Sequence, residues 1–397
     1  MSIKYKPQIL FFLPHKWETY VRRPHLQACT AHAKCIFINS PVTLKTLFNT
    51  PLLFAKYLFC PINRRVKVND NGYLYNVFVP FPFRAAFEFP IFYHLNRFVL
   101  KPQIKKILKK QRVDKPVTFV FYPQQAYQLE TIQYSALCYE VCDDYDSYPG
   151  LSAKNKMLLK KGDQDIAIIS DIIFTVSESI KNKYVNMGHN SKTFLLPNAC
   201  DVGHFGKALK EETKINIEIA SLKKPIIGYI GHINQVLDNK LLYDIAIKRP
   251  KWNFVLIGLV NGKTDKYWDY LLKMNNVYYL GFKNYSNLPE YSKGFDVAIL
   301  PWIIDKYTKS VDPNKAVQYL AAGKKVVSTP IPALNRLPLI TIAKNATEFV
   351  DAIDKYLIYS PGENQAYVKK AKYLSNENSI EVRAKQRIDI INTLQNA

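Results

Sequence analysis

The sequence predicts an α/β protein built of two parallel, doubly wound domains. Three observations carry this: short β-branched and aromatic runs alternate with helical patterns, the alternation runs twice, and 397 residues suit two domains. The first series of expected strands is Gln8–Leu13, Lys34–Asn39, Asn76–Pro80, Val117–Tyr122, Ala136–Cys142, Ile172–Ser177 and Thr193–Pro197. The second is Pro225–His232, Asn253–Val260, Asn276–Gly281, Asp296–Pro301, Lys325–Ser328 and Leu339–Ala343. The polar stretch Lys207–Lys224 reads as a linker, which gives domains at 1–205 and 206–375 and a closing segment at 376–397. Ligands of such sheets sit beyond the carboxyl ends of the strands, so chemistry is expected in the strand-to-helix turns.

Composition narrows the class. A chain with 48% hydrophobic and 22% charged residues is neither disordered nor collagen-like. No apolar run approaches the ~18 residues that span a bilayer. The run Ile9–Leu13 is cut off by Pro14, His15 and Lys16, too short for a signal core, so a cytoplasmic protein is expected. Cys29, Cys35, Cys60, Cys138, Cys142 and Cys200 form no CxxC pair and read as reduced structural thiols. The net charge of +23 is uneven: residues 1–112 hold 19 Lys and Arg against Glu18, Asp70 and Glu88. Such a field points to an anionic partner of the first domain.

One turn is bounded at both ends by its residues. In Val311–Gly323, Asp312 suits the N-cap, Pro313 the first helical position and Gly323 the position past the end. The free N–H groups and dipole of this helix favour a phosphate, and Lys315 adds a full charge. Gln318 lies on the same face, within reach of a sugar hydroxyl. The turn Gly228-Tyr229-Ile230-Gly231-His232 follows an apolar strand; its glycines either let the backbone approach a pyrophosphate or only make a tight turn. His232 either donates to a phosphate or sugar or points to solvent.

Asp296–Pro330, taken with Ile227–His232, Asn253–Gly258, Asn276–Gly281, Asp171–Ser177, Leu196-Pro197-Asn198 and Arg22-Arg23-Pro24-His25-Leu26, resembles GT-B glycosyltransferases. The likeness is to bacterial polysaccharide-building enzymes in or near family 4. The resemblance implies two facing Rossmann-like domains with an interdomain cleft, and a nucleotide-sugar donor, a UDP-sugar before others. It places Lys315 and Gln318 on the diphosphate and ribose, and Tyr285 and Leu288 on the nucleobase; Gly231, His232, Asp312 and Asn314 complete the expected donor site, with Asp312 either standing in for a donor-sugar carboxylate or only capping the helix. It also implies that a helix near Ser379–Leu394 crosses back to brace the first domain. Many retaining relatives carry two glutamates where this chain has Ser310 and Gln318, and Ala199 replaces a usual glycine. A lysine followed three residues later by glutamine resembles inverting enzymes of the glucuronosyltransferase kind; loss of the glutamate pair tilts the reading towards inversion and leaves both outcomes open. No DxD pair occupies a donor loop, so no metal and no permanently bound cofactor is expected.

Transfer also requires a base for the acceptor hydroxyl. Asp143 and Asp144, at the end of an expected strand, are the candidates, or else they cap the next turn; His25 is the alternative base or acceptor contact. The expected acceptor is a lipid-linked or growing glycan of capsule, O-antigen or exopolysaccharide synthesis, met at the inner face of the plasma membrane. Leu100, Ile104, Ile107 and Leu108 form an apolar stripe among Lys101, Lys105, Lys106, Lys109, Lys110 and Arg112. Phe87–Leu100 is aromatic, and Phe48–Leu58 is apolar with Lys56. These segments either touch anionic lipid or pack in the core. A nucleotide-sugar epimerase of the same fold and a basic nucleic-acid-binding protein are the rivals; no helix-turn-helix, zinc-finger or RNA-recognition signature supports the latter, and no nucleic-acid partner is expected.

Overall fold

A computed structural model describes residues 6–20, 22–49, 65–145, 147, 151–262 and 264–395. Cys60 and residues 50–58 of the apolar run expected at a membrane lie outside them. The chain divides into unit 1, Met1–Pro197 with Arg383–Ala397, and unit 2, Asn198–Val382.

Unit 1 holds β1 (Gln8–Phe12), β2 (Lys34–Ile38), β3 (Arg65–Asn69), β4 (Gly72–Tyr75), β5 (Val117–Val120), β6 (Ala136–Val141), β7 (Ile172–Thr175) and β8 (Thr193–Leu195). The sheet order is β3-β4-β2-β1-β5-β6-β7-β8. Every pairing is parallel except the edge hairpin β3–β4. Strands covered on both faces need apolar residues at every position, and Ile9 to Phe12 are wholly buried. The strand expected at Asn76–Pro80 lies earlier, at Gly72–Tyr75. Its partner β3, Arg-Val-Lys-Val-Asn, was not expected, because a half-exposed edge strand lacks the continuous apolar run that marks the others.

Helices α1 (Arg23–Ala28), α2 (Pro90–Gln111), α3 (Ala153–Ile169) and α4 (Glu178–Asn186) belong to this unit. On α2, Leu100, Ile104, Ile107 and Leu108 are all buried in its core. The expectation that this stripe touches lipid is therefore corrected: it packs inward, while Lys101, Lys105 and Lys109 face water.

Unit 2 is wholly parallel, ordered β11-β10-β9-β12-β13-β14. Its strands are β9 (Ile226–Ile230), β10 (Asn253–Ile257), β11 (Val277–Tyr279), β12 (Val297–Leu300), β13 (Lys325–Ser328) and β14 (Ile340–Ile342), each within an expected run. The helices used below are α5 (Asn239–Lys248), α6 (Leu288–Gly294), α7 (Asn314–Ala321) and α8 (Ala346–Leu357). The stretch expected as a linker is instead packed into this unit. Ile219 is fully buried, and a β-carbon on Gly294 would come within 2.5 Å of its Cδ1. In both sheets the chain reverses direction beside its first strand: β1 is flanked by β2 and β5, β9 by β10 and β12. Those two switch points are where ligands of open parallel sheets bind.

The last helix, α9 (Ile380–Gln395), supplies Arg387 to unit 1. Its Nη2 donates to both carboxylate oxygens of Glu140, at 2.9 and 3.1 Å, and Arg22 Nη2 donates to the same group at 2.7 Å. Glu140 and Arg387 are each 2% exposed. Burial pushes the Glu140 carboxyl up, yet Arg387 and Arg22 together hold it below its ordinary value. Its stabilising effect is therefore complete above the usual glutamate range and is lost as the pH falls through the lowered value. Replacing Glu140 with Gln leaves the buried Arg387 guanidinium without its carboxylate partner and removes one of two from Arg22. We expect a loss of about 3–5 kcal/mol at neutral pH in urea unfolding.

Candidate functional site

The best-defined constellation lies at the switch point of unit 2. The loop from β12 ends on Pro313, which is the N-cap residue of α7 and offers no side-chain cap. Asp312, expected in that role, stands one residue earlier and is spent elsewhere. Its carboxylate accepts the Asn198 N–H at 2.8 Å and Arg336 Nη2 at 2.9 and 3.0 Å. The Asn198 side chain donates in turn to the Asp312 carbonyl at 2.8 Å. Asp312 thus fixes the loop that launches α7. The far end of α7 is as expected: Gly323 takes φ +70° and its N–H bonds the Leu320 carbonyl at 2.9 Å.

Two side chains one turn apart on α7 set the site. Tyr319 is buried, and its hydroxyl accepts the Ile230 N–H at 2.7 Å, at the last residue of β9. Lys315, four residues earlier on the same face, is thereby laid across Gly231. A β-carbon on Gly231 would fall 2.1 Å from Lys315 Cε and 2.8 Å from Tyr229 Oη. On the other side, Gly258 at φ +149° leaves only 1.8 Å between its would-be β-carbon and the Gly231 carbonyl oxygen. The two glycines thus let a strand end, a neighbouring turn and a lysine share one space.

The Lys315 ammonium sits 5.5 Å over the Trp302 ring, and burial lowers its pKa to about 8. Among the described residues no carboxylate pairs with it. Asn314 Oδ1, beside it, is buried without a hydrogen-bond partner, and Gln318 is half-buried one turn on. His232 is exposed; its carbonyl accepts the Tyr229 hydroxyl at 3.0 Å. Tyr285 is part-exposed and stacks on His204, centroids 4.3 Å apart at 13°, and Leu288 opens α6 half-buried against the core.

In unit 1 the residues expected to supply a base part company. Asp143 lines a cavity of about 310 Å³ with Pro14, His15, Thr19, Tyr20, Arg22 and Tyr122 among its walls. This cavity lies past the ends of β1, β5 and β6. Asp144 instead accepts from Lys183 Nζ at 3.2 Å and Ser147 Oγ at 2.7 Å. Lys183 also reaches the fully buried Asp163, at 3.0 Å. His25 is buried on α1, where burial and then Arg22 and Arg387 hold it well below the usual histidine range. The sequence reading missed His15, which stands at the cavity with its pKa lowered by burial. Its signal was its place directly after the first strand. The Cys142 thiol on the same wall is pushed up to about 12 by burial, so it is no nucleophile at neutral pH. The five described cysteines are free, and among the described residues no three acidic, histidine or cysteine side chains gather as metal ligands.

Residues 224–358 match the family described as "Glycosyl transferases group 1". That stretch holds β9 through α8, and with them Gly231, Lys315, Gln318 and Tyr319. A segment of 112 residues is 32% identical to "Putative teichuronic acid biosynthesis glycosyltransferase TuaH" of Bacillus subtilis (strain 168), and it spans 28% of each chain. Whole-chain likeness extends to solved structures. Sucrose-phosphate synthase from Thermosynechococcus elongatus is similar over 98% of this chain and 99% of its own, at 13% identity and a TM-score of 0.67. Anabaena HepE in complex with UDP and glucose covers 98% and 99%, at 14% identity and 0.62. The Escherichia coli structure titled "Trehalose-6-phosphate from E. coli bound with UDP-2-fluoro glucose" covers 96% and 98%, at 13% and 0.66. The fold class expected from the sequence, two Rossmann-like units of the GT-B class, therefore holds.

A lysine whose pKa is lowered on folding costs stability while it is charged. The penalty is present at pH 7 and is relieved as the pH rises from about 8 towards the ordinary lysine value of 10.5. Lys315→Met should therefore stabilise the protein at pH 7 by about 1–2 kcal/mol, an amount discounted for the water that reaches a half-buried ammonium. The gain should shrink by pH 10, as read by urea unfolding at the two pH values.

Proposed function

We propose that the protein is a glycosyltransferase that takes its sugar from a UDP-sugar bound at the Gly231–Lys315 turn of unit 2. The observation that carries this is the Lys315 ammonium: desolvated, unpaired with any described carboxylate, and seated at the amino end of α7 beside the β9 turn. A partly desolvated cation without a counter-ion is costly, and an incoming diphosphate offsets that cost. The group 1 family match over the same residues supports the reading, as do the UDP and UDP-sugar named in the titles of similar structures.

In this reading Lys315 and the first N–H groups of α7 hold the diphosphate, while Gln318 and Asn314 take ribose hydroxyls. Tyr285 and Leu288 border the base. Asp312 acts through the loop and does not touch the donor. As the acceptor oxygen bonds to the anomeric carbon, the bond to the phosphate oxygen breaks and the nucleoside diphosphate leaves with the electron pair. Lys315 offsets that developing charge, so the proposed reaction needs no metal. The acceptor hydroxyl gives its proton to a unit 1 base. Asp143 is favoured because it lines the cavity past β1, β5 and β6, with His15 on the same wall. The lysine-then-glutamine pattern at α7, and Ser310 where retaining relatives carry glutamate, favour inversion. The acceptor is proposed to be a lipid-linked or growing glycan of a surface polysaccharide, supported by the segment alike to a teichuronic acid protein. The place of action is then the cytoplasmic face of the plasma membrane.

The test is calorimetric titration with UDP, GDP, dTDP and ADP. UDP should bind selectively, and Lys315→Ala should weaken it more than about tenfold, the loss of one charge-assisted contact. Equal binding to the variant would remove the lysine from the site. With a competent acceptor, Asp143→Asn should keep UDP affinity and lose transfer. Turnover of the UDP-sugar to an isomer without acceptor would instead establish the epimerase.

A further inference from the structure

We propose that the outward face of α2 is a docking surface for an anionic lipid bilayer. The proposal takes its purpose from the membrane-side acceptor above, but its observations and its test are independent of the donor site. At 22 residues, α2 is roughly 33 Å long. Its inward stripe is spent on the core of unit 1. On the opposite side, Ile91, Leu95, Phe98, Pro102, Lys105 and Lys109 follow one another at spacings of three or four, along one line of the helix.

That line is divided along its length. The first half is apolar and in water: Phe98 is 78% exposed, Ile91 65% and Leu95 42%, with Phe89 just before the helix at 50%. The second half is cationic. Lys101, Lys105, Lys109 and Arg112 wall an open groove of about 830 Å³. Among the described residues none of these four has an ion-pair partner. Of the nearby acids, Glu88 binds Arg84 at 2.8 Å and Glu130 on the groove wall binds Arg97 and Tyr93, which leaves Asp114 as the other carboxylate on the groove, against four cations. Residues 89–112 hold seven Lys and Arg and no Asp or Glu.

Either half alone suits more than one kind of partner; the two together select one. A nucleic acid answers the cations but leaves Phe98 and Ile91 in water. A protein partner covers the apolar half but must also answer a row of four cations that outnumber the acids of their groove. An anionic bilayer presents both layers at once, phosphates for the groove and the acyl boundary for the phenyl and aliphatic side chains, with the helix in the interface plane. Stable peripheral attachment needs two signals, and α2 carries both on one line.

The experiment is sedimentation of the full chain with phosphatidylcholine vesicles lacking or containing about 30% phosphatidylglycerol, at ~0.1 and ~0.5 M salt. Binding should require phosphatidylglycerol and weaken with salt. It should fall at least about tenfold in the double variant Lys105→Glu/Lys109→Glu, and comparably in Ile91→Ser/Phe98→Ser, with UDP affinity and urea midpoint unchanged in both. Vesicle binding that ignores both variants overturns the proposal, as does binding to RNA or heparin with none to vesicles. Displacement from vesicles by millimolar inorganic phosphate would assign the groove to free phosphate and overturn it too. Failure of vesicle binding with UDP binding intact removes this inference alone; failure of UDP binding with vesicle binding intact removes the donor reading and supports the docking surface.

Discussion

Keeping an ammonium charged in a poorly hydrated seat is the constraint on which unit 2 turns. Burial works against the charge on Lys315, and no described carboxylate relieves it. The seat exists because the Tyr319 hydroxyl holds the end of β9 and because Gly231 and Gly258 have no side chains to block it. A fold optimised only for stability would place an apolar residue there. The cost is understandable if a polyanion completes the site, since a preorganised cation needs no rearrangement when the charge arrives.

Unit 1 handles charge differently. One of its buried ionic groups, Glu140, is shared by two guanidiniums, one from the loop after β1 and one from the last helix of the chain. The arrangement ties the carboxy-terminal segment to the sheet and sets Arg22 beside the cavity, where Asp143 also acts on it. The excess of positive charge that the sequence showed in residues 1–112 is thus partly internal and partly on the α2 surface.

Much of the fold was legible because buried parallel strands must be apolar throughout, and that pattern survives in Ile9–Phe12 and Phe254–Ile257. The edge strand β3 was missed for the complementary reason: none of its residues is buried. The start of α7 was misplaced by one residue because Asp312 has the composition of a cap, while its partners Asn198 and Arg336 are distant in sequence. Lys315 and Gly231 were legible as candidates from helix and turn chemistry, but their contact was not, since it depends on Tyr319 reaching another strand. The α2 stripe shows the same limit. Periodicity separated two faces of the helix but could not say which one the core takes, and the apolar side chains that remain outside, Ile91, Leu95 and Phe98, stand on the opposite face in the first half of the helix.

The most direct test of the account is the titration of Lys315 itself, followed by NMR of ¹³C-labelled lysine Cε in the full protein, with and without UDP. The account predicts a free-protein pKa near 8 that UDP raises well towards the ordinary lysine value, because the bound diphosphate favours the charged form. A Lys315 titration left unmoved by saturating UDP would contradict it, and would place the nucleotide away from the Gly231–Lys315 turn.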